Sequence, residues 1–195
     1  MEQLWFSDAT AIILAGGKST RFGEEDKSML VIRGLPMIQY IALQLKEMFP
    51  EVIIGSGEIE KYSFLGLKVV PDIRPGYGPL MGICSGLNES SNDMNFITAC
   101  DIPEIDGLFI SKLFEASPGA DIVMPVRKDG RYEPLLALYH RSVEKKALEM
   151  LNEGKRKISD LTEKVNTVYV EFEAVEWYYN LNSMEDYLKY ISETR

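Results

Sequence analysis

The chain has 195 residues, of which 46% are hydrophobic and 26% charged, as in an ordinary soluble globular domain. Acidic side chains outnumber basic ones by 30 to 21, a net charge of −9 that repels nucleic acid and anionic lipid. The apolar runs fall far short of the roughly 20 residues of a membrane span, and the N-terminus lacks the pattern of a signal peptide. We therefore expect a single cytoplasmic domain over residues 1–195, with neither nucleic acid nor membrane as a partner.

The first predicted strand leads directly into a glycine-rich loop. The apolar run Ala11 to Leu14 ends at Gly16 and Gly17, and the cations Arg21 and Lys27 follow. Paired glycines permit positive φ and carry no Cβ, so successive backbone N–H groups can converge on an anion. This order of strand, glycines and cations predicts a phosphate-binding loop.

Two common phosphate-binding motifs do not fit this loop. A P-loop would need glycine at position 12, where the chain has Ile12. The dinucleotide-binding fingerprint fails because Gly16 and Gly17 are adjacent and no third glycine follows in register. The sequence therefore disfavours a P-loop GTPase or ATPase, and equally a dehydrogenase.

The rest of the chain alternates between predicted strands and predicted helices. The further predicted strands are Met29–Ile32, Val52–Ile54, Leu67–Val70, Asn95–Ala99, Ala120–Pro125, Arg131–Tyr139 and Asn166–Val170. The predicted helices are Pro36–Met48, Glu58–Phe64, Pro79–Leu87, Ile105–Glu115, Ser142–Asn152, Ile158–Lys164 and Met184–Ser192. Such alternation is typical of a three-layer α/β/α domain whose mainly parallel sheet carries its ligand site at the carboxyl edge.

Small residues surround the predicted start of the helix at Pro79. Proline suits the first helical position, and Gly78 precedes it. Gly82 removes side-chain bulk, so we expect this helix N-terminus to come close to a ligand. A plain loop with a small packing residue is the alternative.

Asp101 is the candidate metal ligand. It follows the predicted buried strand Asn95–Ala99, and the carboxyl ends of such strands form the rim where open α/β sheets bind ligands. Mg²⁺ takes one or two protein carboxylates together with phosphate oxygens and water, so a site with few protein ligands is expected. The alternative role for Asp101 is to cap the following helix.

Two polar segments lie towards the C-terminus. Lys155 and Arg156 belong to a basic run, which is usually a solvated face. Asn180 and Asn182 have the alternate spacing that directs two side chains of an extended segment to one side, although turn chemistry would also explain them. Ser183 follows them and predicts an N-cap for the last helix, worth about 1 kcal/mol.

We expect no catalytic role for the remaining reactive side chains. Cys84 and Cys100 lie in apolar stretches without the spacing of a metal site, which favours reduced structural thiols over a disulfide. His140 is the only histidine and has no evident partner in the sequence.

The glycine loop resembles the signature L-A-G-G-x-S-x-R-[MF]-G-x-x-x-K of nucleotidyltransferases, and specifically of the molybdenum cofactor guanylyltransferases. It is present here as Leu14, Ala15, Gly16, Gly17, Ser19, Arg21, Phe22, Gly23 and Lys27. The double glycine favours the guanylyl branch, because the cytidylyl relatives usually have an alanine first. Further matches are G-P-L-x-G from Gly78, C-D-x-P around Asp101, E-P-L-x-A-L-Y from Glu133 and N-x-N-[ST]-x-E-D from Asn180, so the resemblance covers nearly the whole chain.

The resemblance implies a three-layer α/β/α Rossmann-like domain with a mainly parallel mixed sheet, in which one strand is antiparallel. It implies transfer of GMP from GTP to the terminal phosphate of molybdenum-molybdopterin, with Mg²⁺ as the cofactor and pyrophosphate released. It also implies transient contact with other enzymes of molybdenum cofactor biosynthesis or with acceptor enzymes. A phosphate monoester acceptor is already an anion and needs no general base.

The implied site residues form three sets. The catalytic residues are Arg21, Lys27 and Asp101, with Asp101 as the metal ligand. The nucleotide-binding residues are Leu14, Ala15, Gly16, Gly17, Lys27, Asp72, Gly78, Gly82 and Asp101. The acceptor-binding residues are Lys155, Arg156, Asn180 and Asn182.

One departure and two rival interpretations remain. Gly55 and Ser56 stand where the family often has an asparagine near the nucleoside, so no residue is assigned to read guanine, and the backbone at Gly55 is one alternative. A sibling nucleotidyltransferase, cytidylyl or other, acting on a different phosphate would keep the glycine loop and Asp101. A non-catalytic nucleotide-binding module would keep the loop without metal-dependent turnover.

Overall fold

A mixed seven-stranded sheet forms the centre of the fold. The computed structural model describes residues 6–16, 26–173 and 177–194. The strands are β1 (Ala9–Leu14), β2 (Val31–Ile32), β3 (Leu35–Pro36), β4 (Glu51–Gly55), β5 (Lys68–Val70), β6 (Met94–Ala99), β7 (Ile122–Arg127), β8 (Leu136–His140) and β9 (Thr167–Phe172). The helices are α1 (Met37–Lys46), α2 (Ile59–Tyr62), α3 (Pro79–Glu89), α4 (Gly107–Glu115), α5 (Val143–Asn152), α6 (Ile158–Thr162) and α7 (Met184–Glu193).

The strand order of the main sheet is β5-β4-β1-β6-β8-β7-β9. Strand β8 pairs antiparallel with both β6 and β7, and all other neighbours in this sheet are parallel. The predicted mainly parallel mixed sheet with one antiparallel strand is therefore confirmed. Because the parallel strands share one direction, their carboxyl ends meet along a single edge, where ligands bind in open α/β sheets.

The two faces of the sheet carry separate hydrophobic cores. Every residue of β1 is buried, with Ile13 in one core and Ile12 in the other, as expected for a parallel strand covered on both faces. Helices α1, α4 and α7 contribute to the core on the Ile13 face, and α3 and α5 contribute to the core on the Ile12 face. This confirms the three-layer arrangement. None of the helices in the described ranges is long and apolar enough to cross a membrane.

Some element boundaries differ from those predicted. The predicted strand Met29–Ile32 is in fact the end of a 3₁₀ turn followed by the short β2, which pairs with β3 outside the main sheet. The predicted strand from Arg131 begins only at Leu136. Strand β8 lies inside the sheet, where each residue needs an N–H group for pairing. Pro134 lacks this group and accordingly lies before the strand begins, not at a sheet edge.

Candidate active site

Strand β1 delivers the first predicted nucleotide-binding residues to the carboxyl edge. The N–H group of Ala15 donates to the carbonyl oxygen of Gly55 at 2.9 Å, and the N–H group of Cys100 donates to that of Leu14 at 3.2 Å. The end of β1 is thus held from both neighbouring strands. Gly16 follows, exposed, as the last described residue before the rest of the loop.

Gly16 corrects one expectation about the loop. It does not adopt a positive φ. Apart from its chain neighbours, no described residue has a heavy atom within 4 Å of the position that its Cβ would occupy, and its backbone is not left-handed. The predictions for Gly17 and Arg21 fall outside the described residues.

Lys27 is held in place by a short capped turn. Asp26 caps the 3₁₀ turn Lys27–Met29, and its Oδ1 accepts hydrogen bonds from the N–H group of Ser28 at 2.9 Å and from the Ser28 hydroxyl at 2.7 Å. The Ser28 hydroxyl also lies 2.9 Å from the hydroxyl of Tyr62. From this turn, Lys27 Nζ reaches Asp101 and lies 3.2 Å from its Oδ2. Two predicted site residues, 74 positions apart, are therefore brought together.

Asp101 lies just beyond β6 and is joined to the C-terminal segment. Its carbonyl oxygen accepts a hydrogen bond from Leu181 N–H at 2.8 Å. Its side chain is 25% exposed and that of Lys27 is 12% exposed, so the pair is largely shielded from water yet open to a ligand. The alternative role as a helix cap is excluded, because Asp106 caps α4 by accepting from Phe109 N–H at 2.8 Å.

The single carboxylate of Asp101 suits Mg²⁺ better than a metal ion that needs three or more protein ligands. Among the described residues there is no group of three histidine, cysteine, aspartate or glutamate side chains that could enclose an ion. Mg²⁺ commonly binds one or two carboxylates and completes its shell with water and substrate phosphate oxygens. The partly exposed Asp101 carboxylate at the sheet edge offers the first part of such a shell.

Gly82 lies in a closely packed part of α3. It is buried in α3, and a Cβ added to it would lie 3.3 Å from Leu14 Cδ2 and 3.6 Å from Asp72 Oδ1. Its missing side chain therefore lets Leu14 pack closely against α3, with Asp72 beside them. Burial raises the pKa of Asp72. Gly55 is similar, since its Cβ would lie 2.7 Å from Leu14 Cδ2, so packing explains this glycine.

The glycine segment before α3 contacts a residue that was predicted to bind the acceptor. Gly78, with φ +81°, is the N-cap of α3, and Pro79 takes the first position as predicted. The guanidinium of Arg156 lies 4.3 Å from the centre of the Tyr77 ring and donates to the carbonyl oxygen of Gly76 at 3.2 Å. Arg156 thus connects the turn before α6 to the loop before α3.

The neighbouring Lys155 does not share this contact. It is exposed, and its ammonium pairs with Glu153 at 2.6 Å. The basic run is therefore divided between a surface ion pair at Lys155 and a loop contact at Arg156.

A cavity of about 690 Å³ lies against the C-terminal segment that contacts Asp101. It is lined by the end of β7, the loop from Gly130 to Pro134, α6, and both Asn180 and Asn182. The side chain of Asn182 donates to Asn180 Oδ1 at 2.7 Å, which agrees with the prediction that both side chains point to one side. The Leu181 hydrogen bond to Asp101 joins this cavity to the Lys27–Asp101 pair.

Sequence patterns left three residues of this cavity region without a role. Glu133, 15% exposed, lies with its Oε1 3.6 Å from Nη1 of Arg127. Burial raises the pKa of the Glu133 carboxyl. The Tyr178 hydroxyl is buried and has no hydrogen-bond partner of good geometry among the described residues. Only the E-P-L motif pointed to Glu133, and it did not indicate what the carboxylate contacts.

His140 has partners that the sequence did not suggest. Its Nδ1 lies 2.9 Å from the Ser142 hydroxyl, which donates to Asp121 Oδ1 at 2.8 Å. This order differs from a catalytic triad, in which histidine lies between serine and the carboxylate. His140 also pairs with Met94 at the start of β6, so the cluster lies at the edge opposite Asp101 and holds together the ends of β8 and β7.

Comparisons with known proteins show the family of the chain. The family model of MobA-like NTP transferase domains matches residues 11–168. A molybdenum cofactor guanylyltransferase of Serratia proteamaculans is 30% identical, and the alignment covers 95% of each chain. A probable molybdenum cofactor guanylyltransferase of Pelotomaculum thermopropionicum is 36% identical over 93% of this chain and 91% of that protein.

Solved structures support the same fold. Molybdopterin-guanine dinucleotide biosynthesis protein A of Archaeoglobus fulgidus has a TM-score of 0.78 at 24% identity, covering 94% of this chain and 97% of that one. A Mycobacterium tuberculosis protein solved in complex with manganese has a TM-score of 0.70 at 13% identity, covering 96% of this chain and 100% of that one. At these identities the structures show the fold alone. Together with the family model and the sequence relatives, they place the chain in the family of MobA-like NTP transferase domains, and it is a nucleotidyltransferase.

Proposed function

We propose that the protein transfers GMP from GTP to the terminal phosphate of molybdenum-molybdopterin, releasing pyrophosphate and forming a guanine dinucleotide. The observation that carries this proposal is the Lys27–Asp101 pair, 3.2 Å apart at the carboxyl edge and joined through Leu181 to the segment with Asn180 and Asn182. The names of the sequence relatives support the choice of GTP and molybdopterin.

Lys27 and Asp101 have complementary parts in this reaction. Lys27 pairs with Asp101 before substrate binds, and its ammonium then turns to the phosphates of GTP, which carry more negative charge. The attraction between the Lys27 ammonium and the phosphates is stronger than at an open surface, because the Lys27 side chain is only 12% exposed. The carboxylate of Asp101 would hold Mg²⁺, which supplies charge neutralisation and alignment of the phosphates when bound.

The transfer needs positioning more than acid–base chemistry. An oxygen of the acceptor phosphate forms a bond to the α-phosphorus of GTP, the bond between the α-phosphorus and the bridging oxygen breaks, and pyrophosphate leaves with that electron pair. The acceptor oxygen is already anionic, so no base is required. We propose that Arg21, with Lys27, stabilises the charge that spreads over the phosphoryl oxygens.

The remaining predicted residues divide into a nucleotide side and an acceptor side. Leu14, Gly78 and Asp72 lie around the first turn of α3 and would border the nucleoside. Asn180 and Asn182 line the cavity and would bind the acceptor. Arg156, in contact with Gly76 and Tyr77, would lie at the boundary between these two sides.

A nucleotide panel tests the proposal. The protein is heated with GTP, CTP, ATP or UTP, each with and without Mg²⁺, and the unfolding temperature is measured. A ligand at 100 times its Kd adds about 2.7 kcal/mol to the stability of the folded state, which is measurable for a domain of this size. We expect stabilisation by GTP, increased by Mg²⁺. Preference for CTP would favour a cytidylyl enzyme, and no response to any nucleotide would contradict the proposal.

Pyrophosphate release separates an enzyme from a binding module. With GTP, Mg²⁺ and molybdenum-molybdopterin, Asp101→Asn should release pyrophosphate at least about 100-fold more slowly than the unaltered protein. Asp8→Asn is the matched control, because Asp8 is exposed and precedes β1 at the opposite edge. Equal rates for Asp101→Asn and the control would remove Asp101 from the mechanism.

A further inference from the structure

The cavity beside Asp101 contains a shielded carboxylate. Glu133 is the one acidic residue among the described residues that line it, and its side chain is only 15% exposed. It lies in the loop before β8, where its N–H group donates to the carbonyl oxygen of Pro125 at 3.0 Å. A carboxylate that is largely removed from water normally needs hydrogen-bond donors around it.

The donors beside Glu133 are Arg127 and Tyr178; burial raises the pKa of its carboxyl by more than both of them lower it. The nearest atoms of Arg127 and Glu133 are 3.6 Å apart, longer than a charge-assisted hydrogen bond. Arg127 also lies 3.6 Å from Asp129 and stacks over the Tyr178 ring at 5.7 Å, so its cation is shared. The Tyr178 hydroxyl is buried, which raises its pKa, and the charge of the nearby Glu133 raises this pKa further.

We propose that the Glu133 carboxylate binds the amino-pyrimidinone edge of the acceptor's pterin ring; this inference rests on the proposed function. The 2-amino group and the adjacent ring N–H of a pterin are parallel donors, and both oxygens of one carboxylate can accept from them, as they do from an arginine fork. Arg127, beside Glu133, offers donors to the neighbouring 4-oxo group. The acceptor is thereby selected by its ring as well as its phosphate.

Two further features of the cavity suit this ligand. Met124, Pro134 and Ile158 give it apolar walls, which favour a flat heterocycle. The hydrogen bond from Leu181 N–H to the carbonyl oxygen of Asp101 joins Asp101 to the segment whose Asn180 and Asn182 line the cavity, so one ligand can reach from the cavity to the transfer site. Glu133 is thus a specificity residue and not a participant in bond making.

Two synthetic ligands test the proposal directly. Binding of 6-hydroxymethylpterin monophosphate is measured by its fluorescence, and binding of the matching lumazine, in which a carbonyl replaces the 2-amino group, is measured by competition. We expect the unaltered protein to bind the pterin at least about 10-fold more tightly, because the extra carbonyl faces the carboxylate and removes a donor. Equal affinities would overturn the proposal without the need for any variant.

Variants then assign the preference to Glu133. Glu133→Gln should lose the preference for the pterin, and Glu133→Asp should restore part of it. Glu149→Gln is the matched control, since Glu149 is exposed on α5 and pairs only with Lys146 among the described contacts. Stabilisation of Glu133→Gln by GTP with Mg²⁺ should equal that of the unaltered protein, which shows that the variant is folded. A retained preference in Glu133→Gln would contradict the assignment.

Failure of this inference and failure of the proposed function give different results. If molybdopterin is converted normally by Glu133→Gln, with an unchanged KM, the inference is wrong and the function stands. If the unaltered protein prefers the pterin but transfers no guanylyl group, the ring-binding role stands and the proposed reaction is wrong.

Discussion

The position of Lys27 depends on contacts made by the residues around it. Its direction is set by Asp26, Ser28 and Tyr62, and Lys61 of α2 forms a further ion pair with Asp26. The signature motif identifies Lys27 from sequence. The support from α2 lies more than thirty positions away and only folding brings it near, so local sequence could not show it.

Replacing Lys27 by methionine keeps the length of the side chain and removes its charge. We expect kcat/KM for GTP to fall at least about 100-fold, because the phosphates lose a shielded cation and Asp101 loses its partner. GTP should also stabilise the variant much less against heat. Lys146→Met is the control, as Lys146 lies on α5 in a surface pair with Glu149. Kinetics like those of the control would refute the role given to Lys27.

A second test at this scale concerns the packing of α3 on β1. A Cβ on Gly86 would lie 2.9 Å from Cγ2 of Ile12 in the core, whereas one on Gly57 would have no atom within 4 Å among the described residues beyond its chain neighbours. Overpacking costs about 1–3 kcal/mol, so Gly86→Ala should lower the free energy of unfolding despite the better helix propensity of alanine. Gly57→Ala should change it by less than about 0.5 kcal/mol. Urea unfolding of both variants checks this, and equal stabilities would contradict it.

The thiol of Cys84 gives a prediction about pH. Burial, helped by the charge of Glu144, raises the pKa of Cys84 to about 12. As the pH rises, the unfolded chain therefore loses the thiol proton before the folded chain does. The contribution of the buried thiol to the free energy of unfolding is complete at neutral pH and declines as the pH rises above about 8.5. At pH 8 the thiol should react with a disulfide reagent only after denaturant is added. Peptide mass analysis separates this thiol from that of the partly exposed Cys100, and rapid modification of Cys84 in the native protein would contradict its burial.

At the scale of single elements, α7 matters because it fixes the segment with Asn180 and Asn182. Ser183, the N-cap, accepts from Asp186 N–H at 3.2 Å and donates to Asp186 Oδ2 at 2.8 Å. The same carboxylate accepts from Asn182 N–H at 3.0 Å. The cap predicted from sequence is confirmed, and it holds the helix against the cavity wall that Asn180 and Asn182 line.

Ser183→Ala should therefore have two effects. The free energy of unfolding should fall by about 1 kcal/mol, the usual value of an N-cap, and KM for the acceptor should rise while KM for GTP is unchanged. Ser183 lowers the pKa of Asp186, so this contribution is present above about pH 4 and is lost as the pH falls further. Unfolding in urea at pH 7 and pH 3 measures it, with Ser192→Ala near the end of α7 as the control. A rise in KM for GTP alone would contradict this view of α7.

Elements with local signals were predicted best. Pro79 marked the first turn of α3, and the buried run of β6 led correctly to Asp101 at its carboxyl end. The functions of Gly82 and Glu133 could not be predicted, because each depends on contacts between segments far apart in the chain. Gly82 lets Leu14 pack closely against α3, and Glu133 shares its cavity with α6 and the asparagines before α7. Local periodicity carries no information about such contacts.

At the scale of the whole molecule, the reversed strand β8 joins two groups of parallel strands into one sheet. It lies between β6, which leads to Asp101, and β7, which leads to the acceptor cavity. Both sides of the site thereby rest on one hydrogen-bonded structure. The net charge of −9 leaves the surface acidic, while Lys27 and Arg156 lie locally at the site.

We propose from this arrangement that the chain unfolds as one domain. Hydrogen bonds join all seven strands from β5 to β9 into one sheet, and each of the two cores packs along one face of it. Neither the strands near Asp72 nor those near the cavity therefore have a separate core. Unfolding followed by circular dichroism and by tryptophan fluorescence should give coincident single transitions. Two separated transitions would show that the two sides are independent.

The central claim is the identity of the transferred group and of its acceptor. The most direct measurement supplies the protein with equal amounts of GTP and CTP, Mg²⁺ and molybdenum-molybdopterin, and identifies the dinucleotide product by mass. We predict the guanine dinucleotide, with one pyrophosphate released for each molecule formed. A cytosine dinucleotide, or pyrophosphate release that does not depend on molybdopterin, would contradict the account.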